Sequence, residues 1–219
     1  MNNCKGFIFD LDGVIVDTAS FHFLAWRKLA NDLGFDISEK QNEELKGVSR
    51  IHSLKKILEW GNHDLSKDEF MRQMALKNDN YLSYVSKMDE ADILPGVMKV
   101  IDYLDKKNLP LALGSASKNA RQILKKVNLF SRFHAIVDGT DVDKAKPNPE
   151  VFLIAAERLK TKPKNCIVFE DSVAGIRAAN SAKMLSIGIG DKDVLAQANY
   201  VFEDFTQIDL NFIQNLLRS

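Results

Sequence analysis

The sequence has few cysteines and no excess of either charge. Only two of its 219 residues are cysteines, Cys4 and Cys166, which lie far apart and without the spacing of a metal site. Such sparse cysteine favours a reduced cytosolic chain over a disulfide-bonded secreted one. Thirty basic residues balance thirty acidic ones, so no surplus positive charge would attract nucleic acid or an anionic membrane. We therefore expect the partner to be a small molecule.

Long hydrophobic runs are also missing. Near the amino terminus, Asp10 and Asp12 interrupt the apolar residues after a very short stretch. Signal peptides and membrane spans need a longer uninterrupted run, so we predict a cytoplasmic protein, and we expect it to be a monomer. The chain also shows no internal repeat or low-complexity tract, which argues against a solenoid or a disordered scaffold.

What the sequence does contain is a series of short apolar runs rich in branched and aromatic residues. They predict buried strands of a parallel sheet at residues 6–9, 109–113, 135–137, 166–169, 185–189 and 200–202. Segments with helical spacing lie between them, at residues 97–107, 119–127, 150–159 and 173–183. This alternation predicts an α/β fold with a doubly wound parallel sheet.

One long segment breaks the alternation. Residues 16–91 have the pattern of helix after helix without a convincing strand, and Pro95-Gly96 marks the return to the sheet pattern. The simplest explanation is an all-helical insert after the first strand. We therefore predict two domains, a sheet domain of residues 1–15 and 92–219 and a helical domain of residues 16–91.

Polar residues follow the predicted strands. In an open α/β sheet, ligands bind beyond the carboxyl ends of the strands, where such residues meet. The residues at these ends are Asp10, Asp12, Ser115, Lys146, Glu170 and Asp171. Carboxylate oxygens suit Mg²⁺, while a lysine and a hydroxyl can hold the oxygens of a phosphoryl group and offset its charge. The pattern predicts phosphoryl transfer at a magnesium site.

Asp10 and Asp12 fit the two remaining roles, nucleophile and proton carrier. Residues two apart at a strand end can both reach one reacting centre from different angles. One carboxylate can then attack phosphorus while the other protonates the departing oxygen. Their surroundings should separate their pKa values, and Gly13 lets the chain turn sharply after them.

Each of these residues also has a plainer interpretation. Taken singly, Asp12-Gly13 is an ordinary turn, Ser117 and Ser172 are ordinary helix caps, and a lone lysine is usually a surface residue. What favours the catalytic interpretation is that the polar positions fall at successive strand ends in one order.

In these motifs the sequence resembles the haloacid dehalogenase superfamily. The four signature motifs of that superfamily correspond to Asp10-Leu11-Asp12-Gly13, Ser115, Lys146 and Glu170-Asp171. The resemblance spans the whole sheet domain, and it implies a Rossmann-like core with an inserted all-helical cap domain.

Within the superfamily, the helical segment is similar to the β-phosphoglucomutase branch. The matching segments are Asp17-Thr18, His22-Phe23, Ala25-Trp26, residues 45–50, residues 77–81 and, in the core, residues 115–119. The resemblance implies a magnesium-dependent enzyme, with one Mg²⁺ per subunit, that interconverts β-D-glucose 1-phosphate and glucose 6-phosphate. The implied route passes through an aspartyl-phosphate enzyme and β-glucose 1,6-bisphosphate.

Residue roles follow from the same resemblance. The implied catalytic residues are Asp10 as phosphorylated nucleophile, Asp12 as general acid and base, Ser115 and Lys146. The implied metal ligands are Asp10, Asp12, Glu170 and Asp171. The implied substrate-binding residues are Thr18, His22, Trp26, Gly47, Val48, Ser49, Arg50, Lys77, Ala116, Ser117, Lys118 and Asn119. Among the last group, His22 and Lys77 would couple cap closure to the acid–base residue.

A sugar phosphate phosphatase on the same scaffold is the main alternative, since it would use the same carboxylates and let water complete the turnover. Arg50 and the Lys118-Asn119 pair argue against it, because a phosphatase has less need to hold a second phosphate. A non-enzymatic phosphoacceptor module of the receiver type would be shorter and would lack the insert. A dinucleotide-binding domain is excluded because no Gly-x-Gly-x-x-Gly motif follows the first strand. For two residues of the insert a plainer interpretation also remains: Trp26 could simply pack in the core, and Lys77 could be a solvated surface residue.

Overall fold

The computed structural model describes residues 5–45 and 48–218, and it contains a six-stranded sheet. The strands are β1 (Gly6–Phe9), β2 (Leu111–Gly114), β3 (Ala135–Val137), β4 (Cys166–Glu170), β5 (Leu185–Ile189) and β6 (Tyr200–Phe202). All neighbouring strands are parallel, in the order β3-β2-β1-β4-β5-β6. The predicted doubly wound parallel sheet is confirmed.

Three strand boundaries differ slightly from the prediction, one of them because β2 ends at Gly114 rather than Leu113. β2 begins at Leu111 rather than Leu109, because Pro110 between them has no N–H to donate to the ladder. β4 continues through Glu170, which pairs with Gly188 of β5. The longer β4 therefore carries Glu170 to the sheet edge where the other polar residues meet.

Helices connect the strands. In the described part of the chain they are α1 (Ala19–Asp32), α2 (Glu39–Glu43), α3 (Arg50–Gly61), α4 (Lys67–Val85), α5 (Val97–Lys106), α6 (Ala120–Lys126), α7 (Glu150–Arg158), α8 (Val173–Ser181) and α9 (Leu210–Arg218). Short 3-10 turns lie at Glu90–Asp92, Phe130–Arg132, Pro163–Asn165 and Phe205–Gln207. The four helices predicted between strands are all present, with ends within two residues of the prediction. Among the described helices, none combines the length and apolar character that crossing a bilayer requires.

Residue alternation in the strands divides the core of the sheet into two layers. Phe7 and Phe9 of β1 belong to one hydrophobic cluster, which includes residues of α5, α6 and α9, whereas Ile8 belongs to a second cluster with α7 and α8. Successive side chains of a strand point to opposite faces, and helices cover both faces here. This double burial explains why the strand sequences are continuous apolar runs.

The segment between β1 and α5 forms helices α1 to α4 and one 3-10 turn, so the prediction of helix without strand is confirmed for its described residues. It has a hydrophobic cluster of its own, which includes Trp26, Leu54 and Ile57. The two connections to the sheet lie side by side, because Val16 makes an isolated antiparallel bridge with Ile93. The insert is therefore attached to the sheet through two adjacent segments.

Candidate active site

The chain turns sharply where β1 ends. Asp10 N donates to the Phe169 carbonyl of β4 at 3.0 Å, which extends the ladder by one residue before the backbone turns. Gly13 has a φ of +77°, and a Cβ at this position would collide with the Asp171 carboxylate. Only glycine fits here. The predicted turn therefore also lets the loops after β1 and β4 approach each other closely.

Lys146 lies between two buried carboxylates. Its Nζ donates to Asp10 Oδ1 at 2.5 Å and to Glu170 Oε2 at 2.7 Å, and all three residues are at most 6% exposed. Burial opposes the charge of the lysine, but the two facing carboxylates prevail and raise the pKa of Lys146. Lys146 is therefore a fixed buried cation, and the interpretation as an ordinary surface lysine is wrong.

The two aspartates after β1 differ in their protonation. Burial raises the pKa of Asp10 to about 6, against the opposing charge of Lys146. Burial and the negative charge of Asp10 raise the pKa of Asp12 to about 7, and the Thr18 hydroxyl donates a hydrogen bond to Asp12 Oδ1. The adjacent cation Lys146 favours the ionised form of Asp10, whereas the negative charge of Asp10 favours the protonated form of Asp12. This separation suits a nucleophile and an acid–base partner.

Asp10, Glu170 and Asp171 form a group of carboxylates with the composition of a metal site. One oxygen from each lies within 4.8 Å of the other two. Three hard oxygen donors of this kind suit Mg²⁺, so the donor set fits the predicted ion. Asp12 is not part of this group, and its role as a metal ligand stays a prediction.

Glu170 is held in place by two small residues that were not predicted to support the site. Ser172 donates to Glu170 Oε1 from its Oγ at 2.7 Å and from its backbone N at 3.1 Å. Its Oγ also accepts from Gly175 N at 3.0 Å, which confirms the predicted cap of α8. A Cβ at Gly175 would overlap the Glu170 carboxylate. The cap therefore orients a carboxylate of the site as well as starting the helix.

The loop after β2 forms hydrogen bonds of its own at the start of α6 and also contributes residues to the candidate active site. Ser115 is fully buried and its Oγ accepts from Ser117 N at 3.1 Å, while Ser117 Oγ accepts from Asn119 N at 3.3 Å. These bonds leave both hydroxyl protons available to a ligand or a neighbour. Asn119 is engaged differently, because its Nδ2 donates to Asn78 Oδ1 of α4 at 3.1 Å.

A cavity of about 350 Å³ joins the strand ends to the helical insert. The predicted site residues that line it are Asp10, Asp12, His22, Trp26, Val48, Ser49, Arg50, Lys77, Ser115, Ala116, Ser117, Lys118, Lys146 and Asp171. Thr18, Asn119 and Glu170 do not line it, although all three contact residues that do. Gly47 lies outside the described residues. The fold thus brings predicted residues of both segments to one space.

The insert contributes a buried lysine and a histidine. Lys77 is 1% exposed, so the solvated interpretation is wrong. Its Nζ lies 2.9 Å from His22 Nδ1 and 4.4 Å from the centre of the Trp26 ring. Burial, together with the charge of Arg50, lowers the pKa of Lys77 to about 7, and burial with the charges of Lys77 and Arg50 lowers the pKa of His22 well below its usual value. His22 Nε2 lies 3.9 Å from Asp12 Oδ1, so these groups reach the predicted acid–base residue.

Two asparagines of the insert have contacts that were not predicted, although Asn78 lies in the matching segment of residues 77–81. Asn42 of α2 is buried and lines the cavity, and Asn78 of α4 contacts the loop after β2. Asn42 matches none of the motifs found in the sequence. The one available signal for Asn42 is its position three residues before buried Leu45, on the inward side of a short helix.

Known proteins resemble this chain over most of its length. Residues 4–183 match a family model described as haloacid dehalogenase-like hydrolase. The sequence is 39% identical to the β-phosphoglucomutase of Bacillus subtilis (strain 168), with 95% of this chain and 93% of that protein covered. It is 31% identical to the phosphorylated carbohydrates phosphatase of Thermotoga maritima, with 80% of each covered.

The fold agrees with a solved structure as well. The crystal structure of a β-phosphoglucomutase from Clostridium difficile matches with a TM-score of 0.94 and 43% sequence identity, and the match covers 98% of this chain and 97% of that one. The family model and both sequence relatives cover at least four fifths of the chain. The chain therefore belongs to the haloacid dehalogenase-like hydrolase family.

Proposed function

We propose that the chain is a β-phosphoglucomutase, which interconverts β-D-glucose 1-phosphate and glucose 6-phosphate through an aspartyl-phosphate enzyme and β-glucose 1,6-bisphosphate. The observation that carries this proposal is the shared cavity, in which the Asp10 and Asp12 pair of the sheet faces the basic residues Arg50 and Lys77 of the insert. Relatives named β-phosphoglucomutase, at 39% and 43% identity over nearly the whole chain, support it.

Asp10 and Asp12 would divide the chemistry between them. An oxygen of the Asp10 carboxylate attacks phosphorus, the bond from phosphorus to the sugar oxygen breaks, and Asp12 gives its proton to that oxygen. In the return step a sugar hydroxyl attacks the aspartyl phosphate while Asp12 takes its proton, which restores Asp10. The pKa of about 6 for Asp10 and of about 7 for Asp12 suits these two roles at neutral pH.

Asp10, Glu170 and Asp171 would hold one Mg²⁺ per subunit. When bound, the ion would offset the charge of the phosphoryl group and so reduce its repulsion from the nearby carboxylates. Lys146 already places a fixed positive charge beside Asp10. The Ser115 hydroxyl, whose proton is available, would donate to a phosphoryl oxygen.

A mutase also needs a place for the phosphate that is not being transferred, because the bisphosphate must bind in both orientations. Arg50, Ser117 and Lys118 line the cavity and would provide it. The planar guanidinium of Arg50 suits phosphate, since it can donate two parallel hydrogen bonds. Asn119 would join them by exchanging its bond to Asn78 for one to the phosphate.

We further propose that residues 16–91 are a cap domain over a core of residues 1–15 and 92–219. A separate hydrophobic cluster and the adjacent connections at Val16 and Ile93, which would serve as the hinge, support this division. Closure of the cap would exclude water from the aspartyl phosphate, which would otherwise hydrolyse. Location in the cytoplasm and a monomeric state stay predictions from the sequence.

The test is incubation with β-glucose 1-phosphate, Mg²⁺ and a trace of β-glucose 1,6-bisphosphate, with glucose 6-phosphate and free phosphate measured together. Glucose 6-phosphate should form with little free phosphate. Asp10→Asn should abolish turnover and acyl phosphate formation, the latter measured by mass spectrometry, whereas Asp193→Asn on the exposed surface should retain both. Free phosphate as the main product would instead indicate a sugar phosphate phosphatase, and turnover by Asp10→Asn would contradict its role as nucleophile.

A further inference from the structure

Tyr81 carries a buried hydroxyl without a hydrogen-bond partner. The residue lies on α4, is fully buried and packs in the first hydrophobic cluster of the sheet. Its Oη is the one buried side-chain nitrogen or oxygen without a partner among residues 5–45 and 48–218. Buried tyrosine hydroxyls are normally paired. The exception suggests that this hydroxyl finds its partner in another state of the protein.

Polar groups of both segments surround the phenol. The His22 ring lies 4.1 Å from the Tyr81 ring, centre to centre. Burial and the negative charge of Asp12 raise the pKa of Tyr81 well above its usual value. The hydroxyls of Thr18 and Ser117 approach the phenol closely enough to act in the opposite direction, but neither has the geometry of a completed hydrogen bond to Tyr81 Oη. Tyr81 therefore lies between the acid–base residue and the loop after β2.

The hydroxyls on either side have unused hydrogen-bonding capacity. Thr18 donates its proton to Asp12 Oδ1, which leaves its own lone pairs available. Ser117 Oγ accepts from Asn119 N at 3.3 Å, and a hydroxyl that accepts in this way can still donate its proton. A tyrosine hydroxyl can accept one hydrogen bond while it donates another, so it can join the two.

We propose that Tyr81 is a positioning residue that completes a chain of three hydroxyls ending at Asp12. In the closed, substrate-bound enzyme Ser117 donates to Tyr81, Tyr81 donates to Thr18, and Thr18 donates to the Asp12 carboxylate. The chain holds that carboxylate in place for proton transfer and links its position to the phosphate bound near Ser117. The inference rests on the proposed function, because it concerns Asp12 as general acid and base.

Tyr81→Phe tests the inference because it removes the hydroxyl and keeps the ring. Since the hydroxyl is unpaired in the free protein, its removal should leave the thermal midpoint unchanged or raise it. The kcat should fall about tenfold while KM stays within about twofold. The matched control is Tyr84→Phe on the same helix, whose ring stacks on Phe21 and whose loss of a hydroxyl should leave kcat and KM unchanged.

A double-mutant cycle with Thr18→Val tests the chain itself. If Tyr81 acts through Thr18, the second substitution adds little, and the kcat of the double variant should lie within about twofold of the lower single variant. Three results for Tyr81→Phe would overturn the inference: an unchanged kcat, a rise in KM at unchanged kcat, or a lowered thermal midpoint. It would also be overturned if the losses in kcat of the two single variants multiplied fully in the double variant. A wild-type protein that leaves β-glucose 1-phosphate unchanged would instead refute the proposed function, and this inference with it.

Discussion

Two buried lysines show how the two sides of the cavity differ. Lys146, on the sheet side, contacts two carboxylates, whereas Lys77, on the insert side, contacts a histidine and aromatic rings and makes no salt bridge within the described chain. Both are at most 3% exposed. Burial opposes the charge of each, yet the pKa of Lys146 is raised while that of Lys77 is lowered to about 7. The partners, rather than the depth of burial, decide the protonation state.

The contrast shows that the charge of Lys146 is already balanced by neighbouring carboxylates, whereas the charge of Lys77 has no such partner in the described chain. An ammonium between two carboxylates is already compensated. Lys77 contacts neutral groups directly, and burial with the charge of Arg50 outweighs the opposite charge of Asp12, so it gains most when an anion arrives. We therefore expect a phosphate to favour the arrangement in which the insert closes on the core, because it interacts more strongly with that state.

Replacing Lys146 by methionine removes the cation of the sheet side and should cause the largest loss of stability. The change leaves Asp10 and Glu170 buried side by side without a cation, a loss that typically costs about 3–5 kcal/mol. Urea denaturation in EDTA should show a lower free energy of unfolding by about that amount. Mg²⁺ should restore more stability to this variant than to the wild type, since it offsets the same carboxylates. Turnover should be lost.

The control for this experiment is Lys55→Met on the exposed face of α3. It should change the free energy of unfolding by less than about 0.5 kcal/mol. If Lys146→Met were as stable as this control in EDTA, the carboxylates would not depend on the lysine, and the contrast between the two sides would be lost.

Replacing Lys77 by methionine should have the opposite effect on stability. The side chain loses an uncompensated buried charge and keeps its apolar stem, and the rings of Trp26 and Tyr81 offset that charge only in part. We expect the free energy of unfolding to rise by about 1–3 kcal/mol at pH 7. Turnover should fall, because His22 and Asp12 lose a polar neighbour.

The stabilisation by Lys77→Met should shrink as the pH rises. The folded pKa of Lys77 is about 7 and its ordinary value is 10.5, so below pH 7 the lysine is charged in both states and the destabilisation is complete. As the pH rises toward 10.5, the unfolded chain also loses the proton and the penalty disappears. Urea denaturation of wild type and variant at pH 6.5 and pH 10 measures this. A stabilisation that does not shrink at the higher pH would mean that the charge is not its cause.

The sheet side could be predicted because its chemistry follows directly from strand position. Asp10 and Glu170 end strands whose apolar runs are buried on both faces, and a parallel order with β1 beside β4 brings their carboxyl ends together. Lys146 was predicted on the same ground, from the loop after β3. Pro110 could have corrected the start of β2, since a residue without an N–H cannot continue a ladder.

The insert side could be predicted only in part, because its contacts join residues far apart in sequence. Lys77 and His22 are 55 residues apart, and helical periodicity gives the buried side of a helix without showing which polar group lies opposite. A lysine in a helix is solvated by default. The pairing of Asn78 with Asn119 and the unpaired hydroxyl of Tyr81 likewise depend on how the insert sits on the sheet.

Replacing Arg50 by lysine should have the smallest effect on stability, and it tests whether the insert binds the phosphate that is not transferred. Arg50 makes no salt bridge among the described residues, so the free energy of unfolding should change by less than about 0.5 kcal/mol. The KM for β-glucose 1,6-bisphosphate should rise about tenfold with little change in kcat, because the planar fork is lost while the charge stays. Arg177→Lys on the exposed face of α8 is the control. A loss in kcat at unchanged KM would mean that Arg50 acts on the transferred phosphoryl group, and the division of roles between the two sides would be wrong.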